Sequence, residues 1–402
     1  MNNNPSKAID FRHPLQHTPF HDRARELSQA DSFIPWSGYS TVDVFTTVEQ
    51  EYFAIRNAAT LYDLTPMIKY RVVGPDAVAY LNRLVTRDVA KLKPNRVAYC
   101  CWCNDAGHLV DDGTLFRIGD GEYLLCTAER QIDWLLSSAI GFDVQIAEIT
   151  EDVAALALQG PTSCSVLKAL GLKGVENLKP FDIGRFNVGA VALTVSRTGF
   201  TGDLGYELWM APDFAESMWD ALMAAGRTWG IRPIGSQALN MARIEAGFIA
   251  PNADFVSAEH TILTGRDRSP LEMGLAWLVE FDKGHFNGRR ALLEERQRGP
   301  RRQLVGLDIA GNKPARDSLL YAKTTAQREV GSVTSAMWSP TCKRNIALAM
   351  VEAPYFKTGT NLWVDIYLNR ELVWERRMCR AVVVDRPFLA PDRRRATPAA
   401  DF

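Results

Sequence analysis

The chain lacks any run of about eighteen apolar residues, the length a membrane-spanning helix requires, so no transmembrane segment is expected. Its start, Met1-Asn2-Asn3-Asn4-Pro5, has neither an apolar leader core nor the amphipathic pattern of a transit peptide, and a cytoplasmic location is the expectation. Net charge is scarce as well. Lys and Arg number 46 against 47 Asp and Glu, a formal −1, so no whole-chain field draws the protein to nucleic acid or to an anionic membrane. The short basic cluster Arg393-Arg394-Arg395 lies in a Pro/Ala-rich tail and reads as a solvated terminus. Metal-ligand spacing is thin. Cys100, Cys101 and Cys103 sit together, but a structural zinc site needs about four ligands in paired spacings, and no second C-x-x-C exists. His13, His17 and His21 recur every four residues, yet Pro14 and Pro19 break the helix that would align them, so no metal is expected. A G-x-G-x-x-G dinucleotide fingerprint is missing too, which disfavours a working oxidase.

What is present is an ordinary globular composition, 47% hydrophobic and 23% charged over 402 residues, long enough for two or three domains. Patterning predicts helices over 46–59, 77–84, 131–139, 162–170, 214–225 and 236–246. Strands are predicted at 68–73, 97–102 and 154–158, with a hairpin over 114–126. The strand-helix units near 68–90 and 154–172 share a plan and suggest two related α+β halves. A charged loop with Gly299 and Pro300, at 294–302, breaks the chain, and the short strands beyond it read as a small all-β barrel. The expected organisation is a polar segment at 1–30, an α+β core at 31–295, a barrel at 300–388 and a tail at 389–402.

The densest signal is Asp203-Leu204-Gly205-Tyr206-Glu207, preceded by Ser196-Arg197-Thr198-Gly199-Phe200-Thr201-Gly202. Gly199, Gly202 and Gly205 mark a strand that turns a corner and re-enters as a second strand. Glu207 opens the otherwise apolar Leu208-Trp209-Met210. A carboxylate there is costly to bury alone, and a ligand with two adjacent N–H donors would pair with it in a bidentate contact. The same residues also fit a hairpin ending in a solvated glutamate.

This run resembles the R-x-G-Y/F-T-G-E/D-x-G-Y/F-E segment of the aminomethyltransferase (glycine-cleavage T-protein) family, whose members bind tetrahydrofolate. Other segments are similar in the same order: Asn104 to Asp112, Leu158-Gln159-Gly160-Pro161, Arg243-Ile244-Glu245-Ala246-Gly247, Phe281 to Arg289, and Gly331 to Ala349. The resemblance runs from about residue 45 to 385. It implies an α+β fold of three domains in a ring, two related α+β folate-binding domains plus a C-terminal small β-barrel, around a central folate channel. It implies Asp111 as the catalytic acid near N5 of the folate, with Asp112 as its structural partner. A fixed carboxylate there would stabilise the positive charge N5 gains, or relay a proton. Adjacent acids on a strand point to opposite faces, so one of the two faces the channel. Glu207 is implied to hold the pterin, beside Phe200, where the family usually has Tyr. Arg243 and Lys283 are implied further along the folate. Arg243 equally fits a helix-face arginine paired with Glu245 or a nearby acid.

The sequence departs from the glycine-cleavage pattern where that family contacts its donor. Ile34 to Tyr39 and Tyr62 to Met67 differ from its G-W-x-M-P and F-D-V-S-H-M runs, His108 replaces a glycine, and Asn252 to Pro270 forms a longer loop. Trp36, Tyr39, Tyr62, Met67 and His108 become candidate donor-binding residues, the aromatics suited to an onium group or a methoxylated ring and equally to a core. The first expectation is therefore a demethylase moving a methyl group from a small S-, O- or N-methylated compound to tetrahydrofolate. A second is an aminomethyltransferase acting on a lipoyl-bound group carried by a partner protein. A third, a non-enzymatic folate-binding assembly factor, conflicts with the missing cysteine in Lys283-Gly284-His285-Phe286-Asn287-Gly288-Arg289.

Overall fold

The structure is a computed structural model that describes residues 14–262 and 265–400. His13 and part of the Asn252–Pro270 loop lie outside the described residues. The chain opens with β1 (Gln16–His17), α1 (His21–Leu27), β2 (Ser32–Trp36) and β3 (Tyr39–Val44). β2 and β3 form a hairpin around Ser37-Gly38, both with positive φ, and β1 runs parallel to β3. His17 and His21 stack at 3.6 Å between ring centroids, one on the strand and one at the helix start. α2 (Val48–Asn57) starts where Thr47 accepts the Gln50 N–H at 3.3 Å, a side-chain cap of the kind its sequence signals.

β4 (Thr60–Asp63) is followed by β5 (Ile68–Val73), α3 (Ala77–Leu84), β6 (Arg96–Cys103), β7 (Leu109–Gly119), β8 (Glu122–Thr127), α4 (Ile132–Ser138) and β9 (Gln145–Glu148). These strands make a five-stranded sheet in the order β6-β7-β8-β5-β9, with β4 left out of it. β10 (Ala154–Gln159), α5 (Ser163–Ala169), β11 (Ile183–Val188), β12 (Val191–Ser196), β13 (Gly205–Met210), α6 (Ala215–Ala225), β14 (Arg232–Pro233) and α7 (Ser236–Glu245) come next. They form a six-stranded sheet, β11-β12-β13-β10-β4-β14, into which β4 is inserted beside β10. The two α+β halves are thus interleaved in sequence.

Each sheet buries its outer face under helices and its inner face against the other sheet. Tyr70, Leu115, Tyr123 and Leu125 pack with Tyr80 and Leu81 of α3 on the outer side of the first sheet. Leu156, Tyr206 and Leu208 pack with Val166 of α5 and Trp219 of α6 on the outer side of the second. Between them lies a third cluster, with Val97, Phe116, Leu124 and Cys126 meeting Tyr62, Ala157 and Trp209. Phe116 meets Trp209 edge-on at 5.2 Å. Alternation along each strand assigns these faces.

After α8 (Arg289–Arg298) the chain builds a closed six-stranded barrel in the order β15-β18-β17-β16-β19-β20. Its strands are β15 (Arg302–Ile309), β16 (Leu319–Tyr321), β17 (Glu329–Ser339), β18 (Arg344–Glu352), β19 (Asn361–Arg370) and β20 (Val373–Val384). The α+β class with a C-terminal barrel is as the sequence suggests.

A buried ion-pair network ties these parts together. Arg56 of α2 donates to Glu245 of α7 at 2.7 Å and to Asp203 at 3.4 Å, with its side chain 4% exposed and both acids fully buried. Glu245 also accepts the Tyr52 hydroxyl at 2.5 Å and the hydroxyl of Ser339 in the barrel. Arg393 of the tail reaches Asp203 at 2.6 Å. The tail is a docked strap, not the solvated terminus its composition suggests, because Arg197 holds the Ala396 carbonyl at 2.6 Å and Arg393 has an acid to pair with. Glu245→Ala strands a buried guanidinium and should lower the urea unfolding free energy by about 3–5 kcal/mol. A loss below about 1 kcal/mol would show that the network does not join the domains.

Candidate active site

The glycine-rich corner between β12 and β13 is built around one glutamine. Gln159, from the Leu-Gln-Gly-Pro run at the end of β10, donates to the carbonyls of Thr198 and Tyr206 at 3.2 and 3.3 Å and accepts the Thr201 hydroxyl at 2.9 Å. A Cβ on Gly199 or Gly205 would fall within 2.3 Å of that side chain. Two of the motif's glycines therefore make room for Gln159, and the corner they form aims β13 so that Glu207 pairs across Ser196 and Ala157.

That register sends Glu207 to the inner face, on the same side as Trp209 and Tyr62. Glu207 is 9% exposed, and among the described residues its carboxyl accepts only hydroxyls, from Ser196 at 3.4 Å and from Thr198. Ser196 is shared with Thr198 at 2.6 Å and with the Trp209 indole at 3.4 Å. Burial pushes the Glu207 carboxyl up to about 7, with the two hydroxyls holding it back in part. A buried carboxyl served this weakly is short of donors.

On the facing sheet, β7 carries both acids of the Asp111-Asp112 pair. Asp112 shares its face with Thr114 and Phe116, which point between the sheets. It accepts the Tyr99 hydroxyl at 2.5 Å, and burial raises its carboxyl to about 6. Asp111 is placed otherwise. It accepts from Thr127 and, at 3.5 Å, from Gln131, on the outer side with Trp102 and Tyr70. Its backbone neighbour Asp112 N–H donates to it at 2.8 Å. Burial, and then the charge of Asp112, pushes its carboxyl well above the usual carboxylate range. The geometry thus turns Asp112 inward and Asp111 away from Glu207's side, the reverse of the sequence expectation.

The implied folate cations are committed elsewhere. Arg243 is 2% exposed and donates to Asp254 at 2.5 Å, Ser335 at 2.7 Å, Asn240 at 2.9 Å and the Phe248 carbonyl at 3.1 Å. Its acid partner is Asp254, while Glu245 belongs to Arg56. Lys283 spends its three ammonium protons on the carbonyls of Asn82, Val85 and Arg87 at 2.5 to 2.8 Å. Burial lowers its ammonium to about 8. Phe200 is 38% exposed and stacks on Phe248 at 5.6 Å; Arg394 of the tail lies over the Phe248 ring at 5.0 Å.

Of the donor-side candidates, Trp36, Tyr62 and Met67 join the inter-sheet cluster. Trp36 tilts against Tyr62 at 6.2 Å and donates to the Ala128 carbonyl at 3.2 Å. Tyr39 is buried opposite Trp36 in the β2–β3 hairpin. His108 Nδ1 lies 3.7 Å from Asp267 in the long loop. That loop is pinned by Asp254 to Arg243 and Ser335, and it exchanges backbone bonds with Leu109 through Arg268 and Ala258 at 2.7 and 2.8 Å. It therefore borders the strand that carries the two acids.

Spacing did not reveal Tyr99 or Arg386. Tyr99 reaches Asp112 through the β6–β7 register. Arg386 donates to the Met273 carbonyl at 3.3 Å, packs on Gly247 and Gly274, and has its guanidinium shifted down by burial near Asp254 and Tyr99. The alternation of Val97, Tyr99 and Cys101 was a usable signal for the first; none existed for the second. A surface groove of about 620 Å³ along β6, rimmed by Arg87, Lys93, Arg96 and Lys179, touches neither inward acid.

Residues 20–283 match the GCVT N-terminal domain family, and residues 302–389 match the glycine cleavage T-protein C-terminal barrel domain. The chain belongs to the glycine-cleavage T-protein family. It is 34% identical to the aminomethyltransferase of Moorella thermoacetica, over 93% of this chain and 98% of that one. It is 32% identical to the aminomethyltransferase of Caldanaerobacter subterraneus subsp. tengcongensis, over 95% and 98%. The solved glycine cleavage system aminomethyltransferase T of Bartonella henselae superposes with a TM-score of 0.81 at 25% identity, covering 94% of this chain and 98% of that one. As a T-protein family member, the chain is an enzyme of the tetrahydrofolate-dependent one-carbon transferase class.

The raised carboxyl of Glu207 has a consequence for ligand-free protein. Folding favours its protonated form, so the associated stability is complete below the unfolded value of 4.5 and is lost as pH rises through about 7. Urea unfolding should show stability falling from pH 5 to 7.5, and Glu207→Gln should remove on the order of 2–3 kcal/mol of that fall. An unchanged slope in the variant would place Glu207 in water.

Proposed function

We propose that the chain is an aminomethyltransferase that passes a one-carbon unit between a carrier-borne aminomethyl group and tetrahydrofolate. Similarity to proteins named aminomethyltransferase over 93–95% of the chain supports the reaction class. The observation that carries the site is the under-served Glu207 carboxyl on one inner face with the inward Asp112 on the other.

The residues present fit the folate. Glu207 is short of donors, and a pterin ring offers adjacent N–H groups to a carboxylate. When bound, tetrahydrofolate supplies the N5 amine that takes up the one-carbon unit. Asp112 is the acid we assign beside that amine. Its carboxyl, held by Tyr99 and raised to about 6, can keep or release a proton near neutral pH and can face developing positive charge in a poorly hydrated setting. Phe200, Phe248 and Arg394 offer an aromatic and cationic surface toward the anionic end of the folate. Arg243 and Lys283 position backbone: one pins the Asp254 loop, the other the carbonyls at 82–87. Trp36, Tyr62 and Met67 form the apolar wall where the donor would enter.

A second reading, a demethylase for a small methylated compound, is favoured by one feature. The loop from Asn252 is fixed against Leu109 and His108, beside the acid-bearing strand, where it would restrict access to a small donor. Purified enzyme, tetrahydrofolate and either a lipoylated aminomethyl carrier or a panel of methylated sulfonium, betaine and methoxyaromatic compounds separate the two. Ammonia and methylenetetrahydrofolate with the carrier alone support the first. Methyltetrahydrofolate from a panel member, with no carrier, selects the second.

Asp112→Asn should reduce turnover by about a hundredfold or more while folate affinity changes little. Asp111→Asn should keep most turnover in whatever fraction folds. The opposite ranking would return the role to Asp111. In calorimetry, Glu207→Ala should weaken tetrahydrofolate binding by about 10–100-fold, the value of a charge-assisted contact; unchanged affinity would remove the pterin assignment.

A further inference from the structure

β19 and β20 pair over ten positions, from Asn361↔Val382 to Arg370↔Val373, yet the barrel supports only their near ends. β16 reaches β19 at Trp363 and Val364, and β15 reaches β20 from Ala381 to Val384. Ile366 still faces the barrel core, and Leu368 and Cys379 pack on its rim. Beyond that base the strands continue as a two-stranded arm, closed by Glu371-Leu372 with both residues at positive φ. Two-stranded ribbons are marginal in water, and open edges are templates for another strand. This arm also carries Tyr367, Leu372, Val373 and Trp374 exposed at 53, 94, 66 and 67%. Four apolar side chains within eight residues make a patch of the kind that marks an interaction surface.

We propose that the arm is a self-association element, in which the outer edges of β20 from two copies pair antiparallel about a two-fold axis at Arg376. In a hairpin closed by a two-residue turn, Arg370 and Val373 are the hydrogen-bonded pair. Glu375 and Arg377 then face β19 with their backbone groups, and Trp374, Arg376 and Met378 present free N–H and C=O groups outward. The strand is self-complementary about Arg376. Glu375 falls opposite Arg377 of the second copy, twice, at the closely spaced non-hydrogen-bonded positions. Trp374 falls opposite Met378 of the second copy, twice, as an aromatic–sulfur contact. Within one copy Glu375 and Arg377 already pair at 3.3 Å on one face, so both are held ready. Arg376 meets itself at the axis, but its charge is matched by Asp365 at 3.4 Å and it lies over Tyr321 at 5.3 Å. Such a contact is isologous and closes at two copies.

Sedimentation velocity and light scattering on the full chain across the micromolar range test this. The expected result is a concentration-dependent rise from the monomer mass of 44.9 kDa toward twice that value. E375R sets Arg against Arg across the axis, R377E sets Glu against Glu, and each should weaken association by about tenfold or more. An equimolar mixture of E375R and R377E restores opposite charges at all four positions and should recover a heterodimer. That recovery also shows that both variants fold. W374E should stay monomeric. A wild type that remains at the monomer mass throughout overturns the proposal, as does dimerisation that survives W374E or a mixture that fails to associate. Co-sedimentation of monomer with anionic lipid vesicles, lost in W374E, would assign the patch to a membrane surface and overturn self-pairing.

Discussion

The buried pair of Arg56 and Glu245 is the joint at which the second sheet's helices, the barrel and the tail meet. Two charges removed from water at this depth persist only if every remaining donor and acceptor is met. Arg56 therefore recruits Asp203 and the Thr201 carbonyl from the glycine-rich corner, and Glu245 recruits Tyr52 and Ser339. The backbone of Glu245 receives Phe388 and Leu389 as the chain leaves the barrel. One ion pair thereby joins α2, α7, the corner that aims Glu207, the barrel and the tail.

The inter-sheet layer buries two acids, Glu207 and Asp112, with few donors to meet them. The outer face of the first sheet is closed by helices, and Asp111 there is met by Thr127 and Gln131. On the inner faces Glu207 is met by two hydroxyls and Asp112 by the Tyr99 phenol and a backbone N–H, and burial raises both carboxyls toward neutrality. Carboxyls perturbed in this way cluster at functional sites. The cations nearby are spent differently: Arg243 and Lys283 hold loops and carbonyls, while Arg394 rests on an aromatic ring at the edge.

The β19–β20 arm shows the converse economy. A barrel buries one face of each strand and needs only a few residues per strand to close. Residues beyond that length gain nothing from the barrel core, so apolar ones such as Leu372 and Trp374 stay in water unless another surface covers them.

Much of the architecture was legible from residue pattern alone. Helix α3 and strand β5 fall at 77–84 and 68–73, where the period of the apolar residues changes from 3.6 to 2. The paired strands around the glycine corner and the barrel follow from turn chemistry of the same local kind. The charged stretch at 294–302, read as a loop, is instead helical as far as Arg298, because α8 runs to the Gly299 cap. Sequence also determined that Asp111 and Asp112 oppose each other across a strand, since alternation is a property of the backbone. Which of them faces the other sheet was decided only in three dimensions, by the face that Phe116 takes against the second sheet, since unbroken alternation from Phe116 through Thr114 carries Asp112 to that side and Asp111 to the other. The same holds for the partners of Arg243 and Arg56. A charge on a helix announces that it needs an acid, but the choice between Asp254 and Glu245 belongs to the packing of segments far apart in the chain, because electrostatic pairing is settled by distance and not by spacing along the sequence.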